Sequence, residues 1–170
     1  MMKVNVLQKH YFFDHNRKYG TKIKVARIFN TYGPNMRPDD GRVISSFILQ
    51  ALNNINITIY GNGNQTRSFC YVDDLINGIY KLMNSNNNVI GPINIGNTVE
   101  FTILELAKLV LQSTKSKSRI TFNDLPQDDP LQRRPVIDEA KIKLDWQPNI
   151  ILQDGLVKTI AYFTKTLKKK

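Results

Sequence analysis

A short apolar stretch near the start of the chain, Ile23 to Phe29, sets the fold class. Ile23, Val25 and the run from Ala26 to Phe29 are rich in β-forming side chains and show no clean alternation with polar residues. This pattern is typical of a strand buried on both faces, and such strands occur in parallel sheets that helices cover. We therefore expect an α/β fold.

Helical periodicity and capping signals flank this stretch. The clearest is Thr102-x-x-Glu105, a capping box that opens an apolar helix. The other predicted helices are Lys3–Tyr19 with Gly20 as its C-cap, one after Gly41, one capped by Asp73, a short one at DEAKIKLDW, and a last one with the stripe Leu152, Leu156, Ile160, Phe163 and Leu167. Further strands are expected at Ile57–Ile59, Ser68–Val72, GPINIGN and Arg119–Phe122.

The composition fits a single folded domain. The chain has 170 residues, of which 41% are hydrophobic, and its formal charge is +10. Its lysines are scattered except for the last three residues, and the bias toward Lys, Asn and Ile is what AT-rich coding produces, so we predict no nucleic-acid partner. The chain has no apolar run long enough for a membrane span and no signal peptide at its start, which predicts a cytoplasmic protein with no membrane partner.

Residues for metal or acid–base chemistry are few. The two histidines, His10 and His15, are five positions apart and would point in different directions on a helix. The paired carboxylates flank turns, where helix capping is their expected role, and Cys70 sits in an apolar strand as a small core residue. The sequence also has no G-x-G-x-x-G and no Walker loop. We therefore predict no metal site and no catalytic residue.

Three arginines, Arg42, Arg67 and Arg133, follow turns beside elements that should be partly buried. A planar guanidinium is stable there when it meets a diphosphate. It is equally stable beside a carboxylate, and each arginine has a candidate: Asp40 for Arg42, Asp73 or Asp74 for Arg67, and Asp129 for Arg133. Spacing alone leaves both possibilities open.

Several segments, in order, carry a family resemblance: VARIFNTYGPNMRPDDGRVISSFILQAL, YGNGNQTRSFCYVDDLINGIYKLMNS, PINIGN, TILELAKLV, DDPLQRRP and LDWQP. Together they resemble the C-terminal half of the extended short-chain dehydrogenases/reductases that act on nucleotide sugars, and in particular the UDP-glucuronic acid decarboxylases. The resemblance implies a partial Rossmann-like sheet remnant at residues 1–32 and a mixed α/β nucleotide-sugar-binding lobe at residues 33–170, packed as one unit.

In that family NAD oxidises the sugar at C4, CO2 is lost and the hydride returns, with a Tyr-x-x-x-Lys pair as catalytic residues. Aligned on Gly20, the pair would fall at Met1 and Asn5, so neither member is present. The resemblance therefore implies a truncated decarboxylase that is inactive alone and is completed by a separate N-terminal Rossmann fragment or paired as a homodimer. Two alternatives stay open: a catalytically dead UDP-sugar-binding or partner protein, and a fragment of an enzyme like dTDP-glucose 4,6-dehydratase or UDP-glucose 4-epimerase.

The resemblance also assigns site residues. Those implied for the UDP-sugar are Asn30, Tyr60, Gln65, Arg67 and Arg133, and those implied for NAD are Thr31, Tyr32 and Arg42. One position departs from the family pattern, because Val136 stands where an aspartate usually follows the proline of RRP. Because family members pair through helices of the Rossmann half, one of which ends in Lys3–Tyr19 here, we also expect an uncovered strand edge, an apolar patch and self-association unless a partner covers them.

Overall fold

The computed structural model describes residues 2–124 and 132–168. Its helices are α1 (Met2–Tyr19), α2 (Val43–Leu52), α3 (Val72–Met83), α4 (Ile103–Thr114), α5 (Asp138–Leu144) and α6 (Leu152–Leu167). Its strands are β1 (Ala26–Ile28), β2 (Thr31–Tyr32), β3 (Ile57–Tyr60), β4 (Thr66–Ser68), β5 (Cys70–Tyr71), β6 (Ile93–Ile95), β7 (Glu100–Thr102), β8 (Ile120–Asn123) and β9 (Gln132–Arg133). Within these ranges, no helix is both long and apolar enough to cross a membrane.

The strands pair mostly in parallel, as an α/β fold requires. β1 pairs with β6, β2 with β5 and β3 with β8, each in parallel. A three-stranded sheet has β4 in the middle, with β7 antiparallel on one side and β9 parallel on the other. The predicted mixed α/β class is confirmed.

Two helix boundaries follow the predicted local signals. Gly20 ends α1 with a left-handed φ of 66°, and its N–H donates to the carbonyl of Asn16 at 2.9 Å. Thr102 and Glu105 form the predicted capping box at the start of α4.

The start of α3 differs from the prediction. Tyr71, not Asp73, is the N-cap, and Val72 already belongs to the helix. The expected strand Ser68–Val72 is therefore two short strands, β4 and β5, with Phe69 between them. The carboxylate of Asp74 explains part of the change, because it accepts the backbone N–H groups of Asn149 and Ile150 at 3.1 and 2.9 Å and ties α3 to the segment before α6.

The prediction that the first strand is buried on both faces is wrong. Arg27 and Ile28 are exposed, and the Ile28 side chain keeps 57% of its accessible surface. The burial of a strand face depends on the elements packed over it, and the described residues leave the Ile28 side open; β1 also lies at a sheet edge, with β6 as its hydrogen-bonded neighbour among the described strands. Before the strand, the ammonium of Lys24 donates to the carbonyls of Ser85, Asn86 and Val89 at 2.7–3.0 Å and so ties this segment to the end of α3.

The buried side chains form two clusters. One joins α2, α4 and α6 over β3, with Ile48, Leu106 and Phe163 fully buried in it. The other joins α3 and α5 with β6 around Trp146. The division at residues 32 and 33 stays a prediction, and β1, before it, shares a sheet with β6, after it.

Candidate functional site

The candidate site is centred on two arginines in adjacent strands. Arg67 lies in the middle strand β4, and its register partners are Arg133 on β9 and Phe101 on β7. Register partners in a sheet carry their side chains on the same face, and adjacent strands are about 4.8 Å apart. The side chains of the two arginines therefore leave neighbouring backbone positions on the same face. Arg67 is buried, at 7% exposed, and Arg133 is exposed.

The guanidinium of Arg67 makes one of its hydrogen bonds within its own strand. Its Nη1 donates to the carbonyl of Thr66 at 2.8 Å. Asp74, one of the carboxylates considered as its partner, is instead engaged by the backbone between Trp146 and α6, as described above. Asp129, the carboxylate considered for Arg133, lies outside the described residues.

The opposite face of the same sheet carries a polar network. The carboxylate of Glu100 accepts the hydroxyl of Thr66 at 2.7 Å and the side-chain amide of Gln132 at 2.8 Å from each oxygen. Arg134 adds a guanidinium 3.6 Å away. The hydrogen bonds from Thr66 and Gln132 are the main reason why the pKa of Glu100 is below its usual value. The sequence analysis missed these residues, because no motif or regular spacing connects them along the chain.

Tyr60 and Gln65 flank the glycine turn at Gly61 and Gly63, which have left-handed φ values of 74° and 78°. The side-chain amide of Gln65 is buried and donates to the carbonyl of Tyr60 at 2.7 Å, which closes the turn. The Tyr60 side chain is 51% exposed at the end of β3. The turn thus fixes Gln65 and presents the Tyr60 ring to solvent.

The residues assigned to NAD lie near one another but differ in exposure. Arg42 is exposed at the N-terminus of α2, where its Nη1 donates to the carbonyl of Thr31 at 3.4 Å and its Nε lies 3.7 Å from the carboxylate of Asp40. Thr31 donates its hydroxyl to the carbonyl of Phe29. The alternative pairing of Arg42 with Asp40 is therefore present, and the Arg42 guanidinium also lies beside the backbone of Thr31.

Tyr32 is a core residue. It is 1% exposed, its hydroxyl donates to the carbonyl of Leu152 at 3.2 Å, and its ring packs edge-on against Tyr71. Burial, reinforced by Tyr71, raises the pKa of Tyr32 far above its usual value. Tyr32 therefore offers almost no accessible surface, in its side chain or its backbone, for contact with a cofactor.

The stretch Thr66–Tyr71 connects the two groups of predicted site residues. β4 carries Arg67, and β5 follows after one residue and pairs with β2 through Thr31 and Cys70. The N–H of Cys70 also donates to the carbonyl of Asn30 at 2.8 Å. Asn30, Thr31 and Arg133, from both groups, are thus paired with one continuous segment.

The described residues contain no cluster of His, Cys, Asp and Glu that could hold a metal ion. His15 Nδ1 is hydrogen-bonded to the hydroxyl of Thr21 at 3.0 Å, and it lies far along the chain from Arg67 and Arg133. Burial raises the pKa of the Cys70 thiol to about 12, so at neutral pH it is a protonated core residue.

Comparison with known proteins agrees with this architecture. The family model of the NAD dependent epimerase/dehydratase family matches residues 6–96. The chain belongs to this family.

The chain is similar in sequence to UDP-glucuronic acid decarboxylases. It is 51% identical over 152 residues to UDP-glucuronic acid decarboxylase 1 of Danio rerio and 49% identical over 144 residues to UDP-glucuronic acid decarboxylase 3 of Arabidopsis thaliana. These matches cover 89% and 85% of this chain but only 36% and 42% of the relatives. The chain therefore spans well under half the length of these relatives.

Solved structures of epimerases share the fold. UDP-glucose 4-epimerase from Thermotoga maritima, solved with UDP-glucose, has a TM-score of 0.87 and 31% identity, and the match covers 93% of this chain and 51% of that one. UDP-glucuronic acid 4-epimerase from Bacillus cereus, in complex with UDP-glucuronic acid and NAD, has a TM-score of 0.85 and 30% identity, with 93% and 50% covered.

Proposed function

We propose that this chain is the nucleotide-sugar-binding lobe of an NAD-dependent UDP-glucuronate decarboxylase. The observation that carries the proposal is the register pairing of Arg67 with Arg133, which gives a substrate diphosphate two guanidinium groups on one face of a sheet. Sequence identity to decarboxylases of 49–51%, against 30–31% to the two epimerase structures, favours decarboxylation over epimerisation.

In this proposal the residues divide by position. Arg67 and Arg133 bind the diphosphate, and Tyr60 and Gln65, beside the glycine turn, form the nucleotide wall. Asn30 lies toward the sugar. The proposed lobe is residues 33–170, and residues 1–32 contribute one helix, α1, and two short strands, β1 and β2, to the NAD-binding part, rather than the one strand expected from the sequence.

The residues assigned to NAD fit only part of its site. The exposed Arg42 guanidinium beside the Thr31 backbone can meet an anionic or carbonyl group of the cofactor. The 170 residues include no glycine-rich phosphate turn and no Tyr-x-x-x-Lys pair, so they supply no proton transfer at C4. When bound, NAD would accept and return the hydride, and this chain's residues would hold and orient the sugar nucleotide.

Binding tests the proposal directly. The purified chain, titrated calorimetrically with UDP and UDP-glucuronate, should bind both, and TMP with the same buffer serves as the control for nonspecific nucleotide binding. Absence of any UDP binding would overturn the proposal. Incubation with UDP-glucuronate and NAD should give no UDP-xylose, and product formation would show that the chain carries its own catalytic groups.

The gene offers a second test. An in-frame Tyr-x-x-x-Lys and a glycine-rich turn encoded upstream of Met1 would support a decarboxylase of which this chain is one part. A separate gene that encodes the same two motifs would support the proposed N-terminal partner fragment. If neither exists, the chain is a UDP-sugar-binding protein without decarboxylase activity.

A further inference from the structure

The carboxylate of Glu100 joins all three strands of the sheet that carries the two arginines. Glu100 itself lies on β7, Thr66 donates to it from β4, and Gln132 donates to it from β9. Its register partner is Ser68, so its side chain lies on the face opposite to Arg67 and Arg133. A ligand on the arginine face would therefore not contact Glu100.

The strand that depends most on this network is β9. Among the described residues it comprises Gln132 and Arg133, which pair with Thr66 and Arg67 of β4. A ladder of this length provides few backbone hydrogen bonds, so side-chain contacts decide where the strand lies.

The contacts of Glu100 lie on both sides of Arg133. Gln132 donates to both carboxylate oxygens, and Arg134 places its Nη1 3.6 Å from one of them. Because side chains alternate along a strand, holding residues 132 and 134 on one face directs Arg133 to the other. An exposed ion pair contributes little, but the Glu100 side chain is only 19% exposed and accepts several charge-assisted hydrogen bonds.

We infer that Glu100 is a positioning residue for the arginine pair: it fixes β9 against β4 and so holds Arg133 beside Arg67. The ligand in this inference, a nucleoside diphosphate, rests on the proposed function. Glu105 provides a matched control, because its carboxylate lies one turn into α4, where it accepts hydrogen bonds from the backbone N–H and the hydroxyl of Thr102.

Calorimetry with UDP on the 170-residue chain tests the inference. Glu100→Gln replaces one acceptor oxygen by an amide that faces the Gln132 donors. It should weaken UDP binding about 10-fold, which is the effect expected from the loss of one charge-assisted hydrogen bond. Glu105→Gln should leave the affinity within about twofold. In the Glu100→Gln background, Arg133→Ala should lower the affinity for UDP by a much smaller factor than in the unsubstituted chain, because the two residues act through one strand. Full additivity of the two losses would overturn the inference.

Hydrogen exchange without ligand separates this inference from the proposed function. The peptide that contains Gln132 and Arg133 should exchange faster in Glu100→Gln and in Gln132→Ala than in the unsubstituted chain or in Glu105→Gln. Unchanged exchange in both variants would overturn the inference even if UDP binds. If the unsubstituted chain binds no UDP, the proposed function fails and the diphosphate part of the inference fails with it, while exchange still decides whether Glu100 holds β9.

Discussion

The ring of Tyr32 occupies the space beside Gly155 where a side chain would otherwise stand. A Cβ atom at Gly155 would overlap the Tyr32 hydroxyl oxygen and would lie 2.7 Å from both Cζ of Tyr32 and Cδ2 of Tyr71. The short strand β2 is therefore packed directly against the backbone of α6. This contact explains why Tyr32 belongs to the core, although it adjoins residues assigned to the cofactor.

Gly155→Ala should lower the free energy of unfolding by about 1–3 kcal/mol, because the added methyl group overpacks this contact. Urea denaturation measures the change, and Gln153→Ala, at an exposed position of the same helix, should change it by less than about 0.5 kcal/mol. Tyr32→Phe removes the hydroxyl and should make the loss from Gly155→Ala smaller. An equal loss in both backgrounds would show that the hydroxyl is not the obstacle.

Arg67 and Arg133 should respond differently to truncation. Arg67→Ala and Arg133→Ala should each weaken UDP binding about 10- to 100-fold, since in the proposed site each arginine donates charged hydrogen bonds to phosphate. Arg67 is buried in the middle strand, so its loss should also destabilise the fold by about 1–3 kcal/mol, whereas loss of the exposed Arg133 should cost less than about 0.5 kcal/mol. Calorimetry and urea denaturation measure the two effects, with the exposed Arg119→Ala as the control. Unchanged UDP affinity in both variants would argue against a diphosphate site.

Stability should decrease in acid through two glutamates. The pKa of Glu100 is held below 4.5 chiefly by hydrogen bonds from Thr66 and Gln132, and that of Glu105 chiefly by the backbone N–H of Thr102. A carboxyl with a lowered pKa in the folded state stabilises the protein above its unfolded-state pKa, and this contribution is lost as the pH falls through the folded-state value. Urea denaturation from pH 7 down to about pH 3 should show the loss below about pH 4.5. The double variant Glu100→Gln, Glu105→Gln should be less stable at neutral pH and should show a smaller loss in acid; an unchanged slope would exclude these two groups as its source.

Cys70 should resist alkylation in the folded protein. It is fully buried, and burial, with a smaller effect of Asp74, raises the pKa of its thiol to about 12. Because the thiolate is the reactive form, iodoacetamide at pH 8 should label the folded chain far more slowly than the chain in urea. Mass spectrometry measures both rates. Equal rates would show that β5 opens readily.

The chain should self-associate through an apolar surface on α3. Ile76, Tyr80 and Met83 lie at i, i+4, i+7 spacing and keep 58%, 66% and 64% of their surface exposed. Tyr80→Lys should raise the concentration at which association begins, as measured by sedimentation equilibrium. Ile142→Lys, at an exposed position on α5, should change it less. A monomeric unsubstituted chain at high concentration would contradict the expectation.

Local signals in the sequence predicted the helices well. The capping box at Thr102, the terminal Gly20 and the apolar stripe from Leu152 to Phe163 depend on neighbours within a few residues, and all three are confirmed. The predicted start of α3 was wrong, because Asp73 and Asp74 suit the first turn of a helix as well as its N-cap and so do not fix the residue at which the helix begins. Asp74 is instead bound by Asn149 and Ile150, 75 and 76 residues away.

The candidate site was only partly predictable for the same physical reason. The positions of the arginines near turns left anion binding and carboxylate pairing both open, and the juxtaposition of Arg67 and Arg133 depends on the register between β4 and β9, which no local pattern fixes. The face of a strand that is covered also depends on distant elements, and so the exposure of Ile28 was not foreseen. The network around Glu100 joins strands more than 30 residues apart and left no signal in the sequence.

The attachment of β1 and Lys24 to later parts of the chain affects how this protein could be dissected. β1 is hydrogen-bonded to residues 93–95, and the ammonium of Lys24 is bound by carbonyls of residues 85–89. A protease that cut the backbone after Tyr32 would therefore release no independent N-terminal piece, because residues 24–28 would remain bound to the larger product. A shortened protein that starts at Gly33 would lack β1, the hydrogen-bonding neighbour of Ile93–Ile95. A binding assay on it would therefore measure a lobe in which the truncation itself has exposed the edge of β6.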